Sequence, residues 1–140
     1  MRPFEWSEEY GVHVPEIDAE HQAMFRVADE LYRALIADAA ASQVQPILRE
    51  LATHMAGHFS HEERLMRASG YPLYAWHRRQ HATAGGKMLL LERRVSRGDR
   101  NAALLAMDLS VWLKNHIRLA DRMFGAYLRN YQRTQAALAS

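Results

Sequence analysis

Apolar residues recur at intervals of three and four in four long stretches of the chain, and none shows the sustained alternation of a half-buried strand. The pattern predicts an all-α protein. With Asp18 as its N-cap, the first stretch places His21, Met24, Phe25, Ala28, Leu31, Tyr32 and Leu35 on one face. Ala39 to Ser42 reads as a turn. The second stretch starts near Pro46, a residue suited to a first helical turn, carries Leu48, Leu51, Met55, His58, Glu62, Leu65 and Met66, and ends at Gly70. After Tyr71-Pro72 the third stripe of Tyr74, His77, His81, Ala84, Met88, Leu91 and Val95 runs to Gly98, with Gly85-Gly86 as its weak point. The fourth presents Leu105, Leu109, Trp112, Leu113, His116, Met123 and Tyr127. Short connections between long helices imply antiparallel neighbours. The expected architecture is one up-down-up-down four-helix bundle over residues 1–140, with helices near 18–38, 45–69, 73–96 and 100–131. Residues 1–17, including Trp6, Tyr10, Val12, Val14 and Ile17, read as an extended arm laid over the bundle, and Thr134 to Ser140 as a fraying end.

Composition narrows the chemistry. At 140 residues the chain fits a single core. The absence of cysteine removes disulfides, thiolate metal sites and cysteine nucleophiles together, so any metal must be held by nitrogen and oxygen. No run approaches a membrane-spanning helix, and Met1 to Trp6 lack the apolar core of a signal peptide, so a cytoplasmic location without membrane attachment is expected. Net charge is only +2, and Arg93, Arg94, Arg97 and Arg100 cluster without interleaved aromatic residues, the pattern of a solvated face and not of a nucleic-acid surface.

Histidines and carboxylates stand where core residues belong. Each predicted helix contributes: His21 to the first, His58 and Glu62 to the second, His77 and His81 to the third, His116 to the fourth. A lone histidine on an apolar stripe is ordinarily a core residue with a nearby hydrogen-bond partner. Burying this many without a common partner would leave several polar groups unsatisfied, at about 1 to 3 kcal/mol each, which a small domain does not have to spare. A shared metal supplies that partner. The spacings His58 to Glu62 and His77 to His81 each put two ligand atoms on one face about a turn apart. His13, His54 and His61 are less constrained and suit surface or supporting roles. His61-Glu62-Glu63-Arg64-Leu65 begins like a zinc-protease helix but has Leu65 where a second histidine is required. No histidine has a glutamate three residues before it, which excludes the Glu-x-x-His pattern of ferritin-like di-iron bundles.

In order along the chain, Trp6 and Tyr10, Ile17-Asp18-Ala19-Glu20-His21, His58-Phe59-Ser60-His61-Glu62-Glu63-Arg64-Leu65-Met66, Gly70-Tyr71-Pro72 with His77 and His81, and Trp112 through His116-Ile117 to Asp121 resemble the hemerythrins. The resemblance implies two iron ions per chain joined by an oxo or hydroxo bridge. His77, His81 and His116 would hold one iron and His21 and His58 the other, with Glu62 and Asp121 bridging. It also implies reversible dioxygen binding, as a carrier, store or sensor, in a pocket lined by Met24, Phe25, Phe59, Ala84, Trp112, Leu113 and Ile117. Two octahedral irons offer about twelve positions, and these ligands leave one open on the two-histidine iron. Small anions or nitric oxide are further expected ligands. The alternative use of such a centre is enzymatic, as an oxidase, a peroxidase or a nitric-oxide-handling site. Asp121 departs from simple geometry: five residues after His116 lies about 140° round an α-helix, so a bulge or loosened turn is expected near Leu119-Ala120. Where hemerythrins commonly place a phenylalanine, this chain has Ala84, which leaves space near the metals unless Met55, Met88 or the arm fills it.

Overall fold

The computed structural model describes residues 2–140, and its helices are α1 (Pro15–Ile36), α2 (Ala41–Ala68), α3 (Tyr74–Ser96), α4 (Ala102–His116) and α5 (Arg122–Ala139). A single π-turn, Ile117–Asp121, joins α4 to α5, so the two form one long fourth rod. Consecutive helices pack side by side and α1 closes the ring against α4, giving the antiparallel four-helix bundle. The predicted stripes face inward as far as the π-turn: Leu31, Leu51, Met66, Leu91 and Leu109 are among the most deeply buried side chains. Beyond it the expected stripe is corrected, because the extra residue of the turn shifts the buried face, so Met123 is exposed and Phe124 and Leu128 are buried instead. No helix among the described residues is long and apolar enough to cross a membrane. Arg93, Arg97 and Arg100 are exposed, while Arg94 pairs with Asp99 at 2.7 Å.

Three turns reverse the chain by one device. Asp38, Gly70 and Gly98 each adopt a positive φ, of 56°, 64° and 69°. The next residue's N–H then returns to a carbonyl of the last helical turn: Ala39 to Ala34, Tyr71 to Met66, Asp99 to Arg94. Glycine is the residue that reaches this region freely, whereas an aspartate reaches it at some cost. The first turn was therefore the least visible in the sequence, and it lies at Ala37–Ala40, not at Ala39 to Ser42.

Two expected helix starts are corrected. Helix α1 begins at Pro15, whose ring presets the first helical φ, and Val14 is the extended residue before it. Asp18 is thus no N-cap; its carboxylate accepts the Val12 N–H at 2.8 Å and ties the arm to the helix. Helix α2 begins at Ala41, which puts Pro46 inside it rather than at its start. The fourth rod runs on to Ala139 instead of ending near residue 131, so most of the stretch expected to fray is helical, though exposed. Along the arm, a 3-10 turn spans Glu8–Tyr10, and Phe4, Tyr10, Val12 and Val14 are buried against the bundle.

Proline inside a helix lacks the N–H that would bond one turn back and crowds that carbonyl, at a cost of up to about 3 kcal/mol. Pro46 is exposed and makes its contribution only through the backbone. Pro46→Ala should therefore raise the melting temperature by several degrees. A lowered melting temperature would place the true start of α2 at the proline.

Candidate metal centre

The seven candidate ligands come from all four rods and meet in one place. His21, His58, Glu62, His77, His81, His116 and Asp121 are all buried, with Glu62 and His21 at 0 % exposure. Their donor atoms fall into two groups: Glu62, His77, His81, His116 and Asp121 form one, and His21, His58, Glu62 and Asp121 the other. Only the two carboxylates belong to both. Glu62 turns Oε1 toward His77 (2.7 Å) and His81 (3.0 Å) and Oε2 toward His58 (3.6 Å). Asp121 turns Oδ1 toward His77 (2.9 Å) and His116 (3.1 Å) and Oδ2 toward His21 (3.0 Å). Each carboxylate therefore presents one oxygen to each group.

Of these short distances only His81 Nε2 to Glu62 Oε1 has the geometry of a hydrogen bond. Glu62 Oε2, His77 Nε2, His116 Nε2 and Asp121 Oδ1 are buried without a properly directed partner, and the Nε2 atoms of His21 and His58 face each other at 3.0 Å. Two imidazole nitrogens at that separation share at most one proton. The atoms aim at common points between them, which is what a set of cation ligands does and what a set of donors and acceptors avoids. Nitrogen and carboxylate oxygen without sulfur is a donor set suited to first-row divalent and trivalent ions.

Three of the five imidazoles are oriented from behind. His58 Nδ1 donates to Glu20 (2.7 Å), His81 Nδ1 to Glu63 (2.8 Å) and His116 Nδ1 to Gln80 (2.7 Å). Placing the proton on Nδ1 leaves the Nε2 lone pair pointing inward, the tautomer that ligation requires. In each case the acceptor stands on the preceding helix: α1 for His58, α2 for His81, α3 for His116. Glu20 is itself held by His61, which lies 2.9 Å from its second oxygen. The sequence reading did not single out Glu20, Glu63 and Gln80 as functional. The available signal was their position, each adjacent in sequence to a predicted ligand and long enough to reach the neighbouring helix.

The π-turn explains Asp121. Its wider turn closes i→i+5, so residues five apart share a face, and Asp121 comes in beside His116. The expected distortion near Leu119-Ala120 is this turn. His13 is exposed, and His54 reaches only Glu50, at 3.8 Å; neither joins the donor groups. Of the pocket residues, Phe59 stacks on His81 at 4.1 Å and Trp112 on His116 at 4.8 Å. Met24, Ala84, Leu113 and Ile117 are buried, as are Met55 and Met88. Phe25 is buried too, with its ring against Phe4, Trp6 and Tyr10 of the arm.

The field at the site favours positive charge. Burial alone would lower the His77 pKa, but Asp121 and Glu62 outweigh it and push the imidazole up to about 9. His21 is raised against the same burial penalty, chiefly by Asp121. Burial opposes the ionised form of Asp121, yet His116, His21 and His77 hold its carboxyl well below the usual range.

The family described as Hemerythrin HHE cation binding domain matches residues 12–128. Among curated relatives, the chain is 28% identical over 132 residues to a bacteriohemerythrin of Stenotrophomonas maltophilia, covering 91% of this chain and 86% of that one. It is 27% identical to a bacteriohemerythrin of Methylococcus capsulatus, covering 86% and 92%. Two crystal structures of hemerythrin mutants, with leucine replaced by tyrosine or alanine, each superpose with a TM-score of 0.78 at 26% identity, covering 91% of this chain and 98% of the other.

A proton held by His77 up to about 9 must leave before its nitrogen can take a cation. Apparent affinity for a probe such as Co2+ should therefore rise between pH 7 and 9, by up to about tenfold per unit for this one proton, and level off above. Titrations in weakly buffered solution should register proton release. An affinity that stays flat across this range would show that His77 holds no such proton in the cation-free protein.

Proposed function

This chain belongs to the hemerythrin HHE cation-binding family, and from that premise we propose that it binds dioxygen reversibly at a non-haem di-iron centre. The observation that carries the reading is the pair of donor groups overlapping only at Glu62 and Asp121, the arrangement needed to hold two like cations side by side. His77, His81 and His116 would hold one iron and His21 and His58 the other, with Glu62 and Asp121 shared between them. When bound, the irons supply the electrons and the coordination position that dioxygen requires.

The chain's own residues explain why the ligand would be held and released rather than consumed. The first group offers five donor residues and the second four, so the position left for a small ligand lies on the side of His21 and His58. Five imidazoles against two carboxylates keep the centre less anionic than a carboxylate-rich one, which disfavours deep oxidation of the metals. Glu20, Glu63 and Gln80 fix three of the rings, so ligand exchange does not require imidazoles to reorient. Phe59 and Trp112 lie flat on His81 and His116, and with the buried Met24, Leu113 and Ile117 they would form an apolar lining that excludes water and stray protons. The reading covers carrier, store and sensor alike, with nitric oxide and small anions as competing ligands.

Iron-loaded protein should contain about two irons per chain. Cycling oxygen should move its visible charge-transfer bands back and forth without loss. Sustained turnover of hydrogen peroxide or nitric oxide would instead assign the centre to an enzyme. Glu62→Ala should abolish the di-iron spectrum, because it withdraws a counter-charge from both ions together. Retention of two irons and normal oxygen cycling in that variant would refute the bridging role.

A further inference from the structure

The arm is fastened to one short stretch of the fourth rod, and that stretch contains the π-turn. Arg118, inside the turn, donates to the Glu9 carboxylate at 2.5 Å and to the Tyr10 hydroxyl at 3.2 Å, with its guanidinium 4.9 Å from the centre of the Tyr10 ring. Arg122 donates to the Glu9 carbonyl, and Arg129 to the Val12 carbonyl at 2.5 Å. Between these two, Gly125 makes the approach possible: a Cβ there would stand 2.8 Å from the Val12 carbonyl oxygen and 3.2 Å from the Val12 Cβ. On its other side the same Val12 is tied to α1, through the Asp18 carboxylate one turn before His21. Four residues of the fourth rod, Arg118 within the π-turn and Arg122, Gly125 and Arg129 beyond it, thus hold arm residues 9–12 on both sides of Asp121.

A π-turn is an α-helix carrying one extra residue, and its bonding is rarer and less favourable than the regular pattern. Tightening the turn by one position would rotate everything beyond it by about 100°. Such a rotation carries Asp121 off the face it shares with His116. It also swings Gly125 away from Val12 and separates Arg122 and Arg129 from their carbonyls. The arm contacts and the inward aspartate therefore require the same helical register.

We propose that the docked arm locks the register of the π-turn, and that Arg118, Arg122 and Gly125 are positioning residues for Asp121. The inference rests on the reading of Asp121 as a bridging ligand. With the arm seated, Asp121 is presented to both donor groups before any cation arrives. With the arm displaced, the turn is free to tighten, the shared carboxylate withdraws, and bound cations escape.

The test uses the full chain loaded with Co2+, an excess of chelator to drive release, and amide exchange of residues 4–14 to report arm docking. Gly125→Ala and the double variant Arg118→Gln with Arg122→Gln should release Co2+ about tenfold faster or more, the scale on which groups supporting a metal's ligands act. Both should also alter the visible Co2+ bands, which report coordination and not stability. Should Gly125→Ala fail to fold, the double variant, confined to exposed side chains, decides the matter. Leu48→Ala, in the core about 15 Å along α2 from His58, supplies a comparable loss of melting temperature and should leave release and bands unchanged. Faster arm exchange with wild-type release and bands in the latch variants would overturn the lock. Asp121→Asn separates the two readings: if it accelerates release while the latch variants do not, only the lock fails, and if it leaves release unchanged, the bridging assignment fails with it.

Discussion

Seven ionisable side chains occupy the middle of a bundle that otherwise has an apolar interior, and most of what is distinctive about the structure is arranged to make that tolerable. Each would cost free energy if buried alone, and together they would consume a large share of what holds a domain of this size together. The arrangement answers in two layers. Inside, opposite partial charges are brought within about 3 Å of one another, so that carboxylates and imidazoles raise and lower each other's proton affinities. Outside, acceptors on neighbouring helices take up the outward-facing N–H groups of three rings.

The outer layer has a direction. Glu20 of α1 steadies His58 of α2, Glu63 of α2 steadies His81 of α3, and Gln80 of α3 steadies His116 of α4. Every seam between consecutive helices is thereby crossed by a hydrogen bond at the level of the site. His21 and His77 have no such partner for Nδ1 and rely on close packing, consistent with their complete burial. Helix packing fixes the rods to within side-chain tolerance, whereas these bonds fix particular rings, and a polar site needs the second kind of accuracy.

The fold was legible because its signal is periodic. The stripes, and the histidines and Glu62 lying on them, could be read from spacing as far as His116; past the π-turn the spacing pointed to Met123, which is exposed, in place of Phe124 and Leu128. What escaped reading was local. Asp38 closes a turn without being a glycine, so the first connection had no marker at its true place. Asp18 has the chemistry of a cap but is used to hold the arm, and Pro46 looks like a helix start while lying inside one. The supporting acceptors were invisible for a different reason. A glutamate or glutamine beside an inward residue looks like any flank position until the neighbouring helix is placed against it.

The π-turn carries a consequence at the level of the gene. Because Ile117–Asp121 holds one residue more than a regular helix would, it is the one place in the fourth rod where losing a codon yields a better helix. The loss would stay close to its origin. With one residue fewer, His116 and Asp121 would stand four apart, about 40° round a regular helix, so the aspartate, Phe124 and Leu128 would keep their faces. A codon lost beyond the turn, between Asp121 and Gly125, finds no such slack: Leu128 would leave the core, and Gly125 and Arg129 would swing away from the arm. The surplus residue makes Ile117–Asp121 the stretch of this rod whose length inheritance can shorten without turning the helix beyond it.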